Sequence, residues 1–163
     1  MMKTLVIQRH ARAEKSARSD FDRKLTDGGK DEAAIVANLL HARSLHPDLI
    51  LASPAKRAKK TAKIVAKTFQ FNKELIVREA AIYNGSGNDL LMLLQTLPAS
   101  AETVFLVGHN PALLDLINFL SCQPVECLRP AEAVILQFEL INWKDIAASA
   151  CRETLKIALP DQR

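Results

Sequence analysis

Residues Lys3 to His10 read KTLVIQRH, a short run rich in β-branched and aliphatic residues that stops at polar Gln8 and is followed by Arg9 and His10. So short a run, apolar on both faces, is the pattern of a buried parallel strand. A cation and an imidazole therefore stand at its carboxyl end. The same pattern recurs at Leu49 to Ala52, which runs into Ser53-Pro54, a helix cap followed by proline at the first helical position. Thr103 to Val107 (TVFLV), the clearest strand in the chain, runs into Gly108-His109, and Asn110-Pro111 then predicts a capped helix start.

Helical spacing fills the intervals. Thr26 is expected to cap a helix that begins near Gly29 and carries Ala33, Val36, Ala37 and Leu40 on one side, with the Gly28-Gly29 pair weakening its first turn. A second helix, to about Phe69, places Ala55, Ala58, Ala62, Val65, Ala66 and Phe69 inward, with Lys56, Lys60, Lys63 and Lys67 on the opposite side. The pattern then gives a short strand at Leu75 to Val77, a loop near Asn84 to Gly87 and a third helix over Asn88 to Leu97. Ala133 to Leu140 and Thr154 to Leu159 are the last strand candidates, joined by a turn or short helix around Asn142 to Ala150, while Ala11 to Leu25 is polar, aperiodic and read as a loop. Strands alternating with helices predict a three-layer α/β/α fold with a mostly parallel central sheet. The last two strands, lacking a crossover helix, can add an antiparallel edge.

Composition bounds the function. At 163 residues the chain reads as one domain, spanning 1–163 and large enough to fold without a disulfide or metal. Apolar residues at 48% and charged residues at 25% exclude disorder as its main state. A net charge of +4 and a pI near 9.1 favour anionic ligands but fall short of a nucleic-acid-binding signature. Three cysteines, an odd number, do not read as a disulfide framework and suit a reducing cytosol. The amino terminus is too poor in apolar residues for a signal peptide, and no apolar run reaches membrane-span length. The expectation is a cytoplasmic protein with neither membrane nor nucleic acid among its partners.

Ligands of open α/β sheets sit at the carboxyl ends of the strands. Three such ends carry Arg9-His10, Ser53-Pro54 with Arg57, and Gly108-His109, so two cations and two imidazoles meet over helix amino termini. Exposed N–H groups and the helix dipole favour an anion there, and arginine grips phosphate oxygens through two donors at once. A phosphate pocket is the economical reading. Within it an imidazole with a free ring nitrogen is a nucleophile toward phosphorus, and the cations neutralise charge on the transferred group. His10, fixed at a strand end beside Arg9, is the nucleophile candidate, and His109 is placed to hydrogen-bond the phosphoryl group. His41 and His46, on or just past a helix end, read as ordinary surface histidines.

Other templates fail by counting. A cysteine phosphatase needs Arg six positions after Cys, where Cys122, Cys127 and Cys151 meet Leu128, Ala133 and Ile157. Gly29-Lys30 has Lys24 where a P-loop wants glycine, and Gly85-Ser86-Gly87 has Leu90 where a dinucleotide fingerprint wants one. Asp20-Phe21-Asp22 has the look of paired metal-binding aspartates but follows no strand, and no spacing specifies zinc.

Four pieces occur in a telling order: Arg9-His10-Ala11 with Ala13-Glu14; Asp22-Arg23-Lys24-Leu25-Thr26 leading to Gly29; Ser53-Pro54 with Arg57-Ala58 and Thr61-Ala62; and Gly108-His109-Asn110-Pro111. Together they resemble the histidine phosphatase superfamily, and within it the small SixA-type phosphohistidine phosphatases. The resemblance implies a phosphoglycerate mutase-like fold and a phosphatase that needs no metal and no cofactor. It implies His10 as the phosphorylated residue and Arg9, Arg57 and His109 as phosphate-binding residues. Glu79, before a tyrosine and a helix, stands about where related enzymes carry an acid. The superfamily's usual glycine after the histidine is Ala11 here. The implied substrate is a phosphorylated protein of the histidine-containing phosphotransfer type. Two alternatives remain: a hydrolase of small phosphate esters such as sugar phosphates, with Glu79 as a required acid, and a noncatalytic module that binds phosphorylated partners.

Overall fold

The computed structural model describes residues 1–161; the last two residues of the expected 1–163 domain lie outside the described residues. One six-stranded sheet runs in the order β3-β2-β4-β1-β5-β6. Its strands are β1 (Met2–Arg9), β2 (Leu49–Ala52), β3 (Val77–Arg78), β4 (Thr103–Gly108), β5 (Ala133–Glu139) and β6 (Cys151–Ile157). β1, β4, β2 and β3 are parallel neighbours, whereas β5 pairs antiparallel with both β1 and β6. The antiparallel edge is thus present.

Side chains alternate across the pleat and divide the core in two. Leu5, Ile7, Val104 and Leu106 face α3 (Ala80–Asn84), α4 (Gly87–Gln95) and α5 (Ala112–Leu120), packing on Ile82, Leu90, Leu94, Leu113, Leu116 and Ile117. Val6, Ile50, Phe105 and Val107 face α1 (Asp27–His41) and α2 (Lys56–Thr68), packing on Ala33, Val36, Leu40, Ala58, Ala62 and Val65. Leu5, Val6 and Ile7 are all fully buried, each worth about 2 kcal/mol of transfer free energy, which is why β1 reads as an unbroken apolar run. Helices on both faces make three layers.

Several boundaries differ from expectation, each for a physical reason. α2 starts at Lys56, not at Pro54: the Ser53 hydroxyl accepts from the Ala55 N–H at 3.2 Å in a turn that precedes the helix. α5 starts at Ala112, because the Asn110 side chain donates to the Leu128 carbonyl at 2.9 Å instead of capping. At both places the cap side chain is engaged elsewhere, Ser53 by its own turn and by His109 at 2.7 Å and Asn110 by the Leu128 carbonyl. The third helix begins at Gly87 and ends at Gln95, because Ser86, in the segment expected to be a loop, forms a capping box with Asp89, and α3 precedes it. β3 is two residues long and shifted to Val77–Arg78, since a 3₁₀ turn occupies Lys73–Leu75. β6 begins three residues early, after two 3₁₀ turns at Trp143–Asp145 and Ala148–Ala150. The polar Ala11 to Leu25 loop is ordered by an Ala13–Leu25 bridge and a 3₁₀ turn at Asp20–Asp22.

Thr26 caps α1 as expected, its hydroxyl accepting from the Gly29 N–H at 2.9 Å. Gly29 does more than weaken a turn. The Arg12 carbonyl, two residues beyond His10, accepts the Thr26 N–H at 3.0 Å and packs where a Cβ on Gly29 would stand. Alanine normally favours a helix over glycine by about 1 kcal/mol, but here it must displace backbone. Gly29→Ala is therefore expected to destabilise the fold by about 1–3 kcal/mol in urea unfolding, and a stabilised variant would show that this close approach is unimportant.

Candidate active site

Backbone hydrogen bonds between strand ends assemble the site. The His10 N–H donates to the Gly108 carbonyl at 2.9 Å, the Ser53 N–H donates to the Val107 carbonyl at 3.0 Å, and the His10 carbonyl accepts from the Ala131 N–H at 3.0 Å. The register of β1 on β4 and of β4 on β2 thus lays His10, His109 and Ser53 side by side. Ala11 is fully buried in the core facing α1 and α2, so the extra methyl where the superfamily has glycine is accommodated. Its N–H donates to the Thr61 hydroxyl at 3.0 Å, and that hydroxyl donates to the Arg57 carbonyl at 2.8 Å. The residue after the histidine is thereby tied to the helix that carries Arg57.

The two imidazoles lie 5.1 Å apart, centre to centre. His10 Nδ1 is 2.7 Å from the Ala11 carbonyl, which can only accept, so Nδ1 carries the proton and Nε2 keeps its lone pair. Burial lowers the His10 pKa to about 4, with the charges of Arg57 and Arg9 pushing the same way. His109 Nδ1 faces an Arg57 Nη donor at 3.4 Å, which leaves the ring proton on Nε2, donated to the Ser53 hydroxyl at 2.7 Å. Burial, then the neighbouring His10 and Arg57, lower its pKa to about 3. Both rings are neutral at physiological pH, whereas the guanidiniums remain charged. Ser53, expected only as a helix cap, is the partner that orients His109.

Arg57 lies in the first turn of α2 and is 6% exposed. One Nη donates to the Asp20 carbonyl at 2.7 Å and the other to the Asp20 carboxylate at 3.0 Å. Arg9 Nη1 donates to the Leu128 carbonyl at 3.1 Å. The Nε–H groups of Arg9 and Arg57 are buried and have no acceptor among the described residues. An unpaired buried donor costs about 1–3 kcal/mol. An anion bound between these guanidiniums would recover that cost twice.

Tyr83 has no counterpart in the sequence reading of the site, and Asp20 enters it only as half of a metal-binding aspartate pair. The Asp20 carboxylate accepts from Tyr83 Oη at 2.9 Å, from Arg57 and from Arg23 at 3.1 Å, and these bonds, Tyr83 foremost, hold its pKa down at about 2. The Tyr83 ring packs edge-on against Phe21 and His109. Asp20 and Asp22 were considered as a metal pair; instead Asp20 neutralises Arg57, and Asp22 pairs with Lys56 at 3.2 Å. Among the described residues no cluster of three or more His, Cys, Asp or Glu could hold a metal ion. Glu79 precedes α3 at the end of β3, half-buried, its N–H donating to the Ala52 carbonyl at 3.1 Å. No hydrogen bond or ion pair among the described residues joins its carboxylate to the histidines or arginines. His41 packs against Phe69, away from the site.

A doubly covered α/β sheet with two neutral imidazoles and two guanidiniums at its strand ends has the chemistry of a phosphate-binding site. The family model for the histidine phosphatase superfamily (branch 1) matches residues 5–82. A protein of Agrobacterium tumefaciens, named as a phosphohistidine phosphatase SixA, is 29% identical and superposes with a TM-score of 0.74 over 82% of this chain and 90% of its own. The SixA of Nakamurella multipartitia reaches a TM-score of 0.81 at 23% identity, over 97% of this chain and 96% of its own. A mycobacterial glucosyl-3-phosphoglycerate phosphatase shares the fold at a TM-score of 0.67 and 14% identity, covering 90% and 96% of the two chains. An uncharacterized protein of Picosynechococcus is 35% identical over 95 residues, 58% of this chain and only 57% of that protein's length. The chain is similar to the histidine phosphatase superfamily over residues 5–82, SixA-type structures are among those it superposes on, and its fold is the phosphoglycerate mutase-like one. No helix among the described residues is long and apolar enough to cross a membrane.

A lowered histidine pKa has a fixed sign in linkage. The unfolded chain binds protons near the ordinary value of 6.5 while the folded rings do not, so stability falls as pH drops from about 6.5 toward 4. In a ring-carbon NMR titration, His10 and His109 are expected to show constant shifts between about pH 5.5 and 8. A His10 midpoint between about 6 and 7 would contradict the neutral, lone-pair-bearing ring.

Proposed function

We propose that this protein is a metal-independent phosphatase that removes phosphoryl groups from phosphohistidine in proteins, through a covalent intermediate on His10. The observation that carries the reading is the pair of buried, acceptorless Nε–H donors of Arg9 and Arg57 beside a neutral His10 whose Nε2 is free.

His10 Nε2 attacks phosphorus as the bond from phosphorus to the substrate's imidazole nitrogen breaks; the substrate ring, protonated from solvent on its other nitrogen, keeps the bonding pair on the departing nitrogen and leaves as neutral imidazole. Arg9, Arg57 and His109 bind the transferred phosphoryl group, the guanidiniums meeting charge on its equatorial oxygens. His109 contributes once its Nε2–H turns from Ser53 to the phosphoryl oxygen, and a nearby dianion raises its basicity. The enzyme-bound phosphohistidine keeps its Nδ1 proton, donated to the Ala11 carbonyl, so His10 is a cationic and good leaving group when water attacks phosphorus. Inorganic phosphate departs and the neutral ring returns. A leaving imidazole needs less protonation than an alkoxide, which accords with a Glu79 carboxylate that makes no contact with the cluster. Asp20, 53% exposed at its side chain, and Tyr83 border an approach open enough for a protein surface.

Incubation with a phosphohistidine protein carrying labelled phosphate, followed by alkaline quench and peptide mapping, is expected to place the label on His10. His10→Ala is expected to abolish turnover, and Arg57→Ala to lower it about a hundredfold or more. Chelators are expected to leave the rate unchanged. Label on another residue, or none in the presence of turnover, would overturn the mechanism. Preference for a single sugar phosphate, lost on Glu79→Gln, would assign the chain to small esters instead.

A further inference from the structure

The helix that supplies Arg57 carries a second, unexplained feature on the side turned away from the sheet. A groove of about 450 Å³ runs between α2 and the segment after it, lined by Lys60, Lys63, Ile64, Lys67, Phe71 and Lys73. It adjoins a smaller pocket of about 100 Å³, where Lys63 and Lys73 recur with Lys59, Ile76 and Arg78 beside the lone carboxylate of Glu74. Among the described residues, Lys59, Lys60, Lys63, Lys67 and Lys73 have no carboxylate within ion-pair distance. The crowding is felt: the charge of Arg78, more than any other cause, lowers the pKa of Lys59.

Six cations against one carboxylate exceed the whole chain's net excess of four, so the remaining surface is close to neutral. Positive charge is concentrated on this face rather than spread for solubility. The patch is also continuous with the site. Lys60 follows Arg57 by about one helical turn, and the ten steps from Arg57 to Lys67 span about 15 Å along α2. Half-buried Ile64, Phe71 and Ile76 give the groove an apolar floor under its lysine rim.

We propose that this groove docks an acidic, helical face of the protein that bears the phosphohistidine, a reading that rests on the phosphatase assignment above. An acidic amphipathic helix offers carboxylates to the rim and aliphatic side chains to the floor. A small phosphate ester held at Arg57 gains little from the far end of the patch, since Lys67 lies about 15 Å along the helix, beyond the Debye length of about 8 Å at physiological salt. Nucleic acid would neutralise the lysines equally, but the groove offers it a single, half-buried aromatic ring, Phe71, for stacking.

The test compares the wild-type chain with a Lys60→Glu/Lys63→Glu/Lys67→Glu variant, and with the milder Lys→Gln version of the same three changes in case charge reversal impairs folding. An acidic histidine-phosphotransfer domain, phosphorylated with phosphoramidate, and free phosphohistidine serve as substrates. For the domain, kcat/KM is expected to fall about tenfold or more through KM, and in wild type to fall steeply between about 50 and 300 mM salt. Turnover of free phosphohistidine is expected to change less than about twofold. Binding of the unphosphorylated domain, measured by calorimetry at low salt, reports docking whether or not turnover occurs, so inactive wild type sinks the phosphatase reading alone. No binding to wild type, equal losses on both substrates, or tighter binding of a single-stranded oligonucleotide of matched charge would each overturn the docking proposal.

Discussion

Lateral register between parallel strands is the constraint on which the site depends. The ladder that pairs Arg9 with Gly108 brings the next residues, His10 and His109, side by side, and the pairing of Ala52 with Val107 sets Ser53 level with Gly108, within reach of His109. None of these side chains is a neighbour in sequence, and no side-chain contact is strong enough to gather them. What holds them is the cooperative backbone bonding of strands whose apolar residues are buried on both faces. A slip of one residue would turn every core side chain to the opposite face. Keeping the core buried and keeping the histidines together are one requirement.

Burial then sorts the ionisable groups. Moving an imidazole out of water favours its neutral form, whereas a guanidinium has no accessible neutral form and keeps its charge. The same pocket therefore yields uncharged rings with a usable lone pair beside undiminished cations. Asp20 belongs to this balance. Arg57, 6% exposed, would otherwise be a nearly unscreened charge, and the Asp20 carboxylate with its backbone carbonyl engages both Nη groups while leaving Nε free. Tyr83 and Arg23 hold that carboxylate in turn, so a loop without apolar periodicity becomes the ordered rim of the pocket.

This explains what could be read in the sequence and what could not. β1, β2 and β4 are legible because burial on both faces leaves an unbroken apolar run, and the polar residues that end each run stand at the ligand end of a sheet by topology alone. Arg57 is legible because it follows Ser53-Pro54 in the first turn of the helix that leaves the end of β2. Asp20, Tyr83 and the true role of Ser53 are not, since their partners are 37, 63 and 56 residues away and only the folded chain pairs them. The same competition shifted two helix starts: Ser53 and Asn110 have the chemistry of caps, but His109 lies within reach of one and the Leu128 carbonyl within reach of the other. Propensity describes what a residue does when nothing better is nearby. At strand ends that converge on a pocket, something better is the rule.

α2 draws these threads together. Its inner stripe of Ala58, Ala62, Val65 and Ala66 fixes its distance and rotation on the sheet, and the rotation that buries those small residues also aims Arg57 and Thr61 at the strand ends. With a period of 3.6 residues the outer side is then set as well, and it is lysine-rich. Small inner residues let the helix lie close to the sheet, which brings Arg57 within reach of His109 and leaves the long outer side chains at the surface. The face that carries Arg57 and the face that carries unpaired positive charge are thus held in one rigid relation. A change in the helix's inner packing moves both together, and a change confined to its outer lysines moves neither the guanidinium nor the histidines.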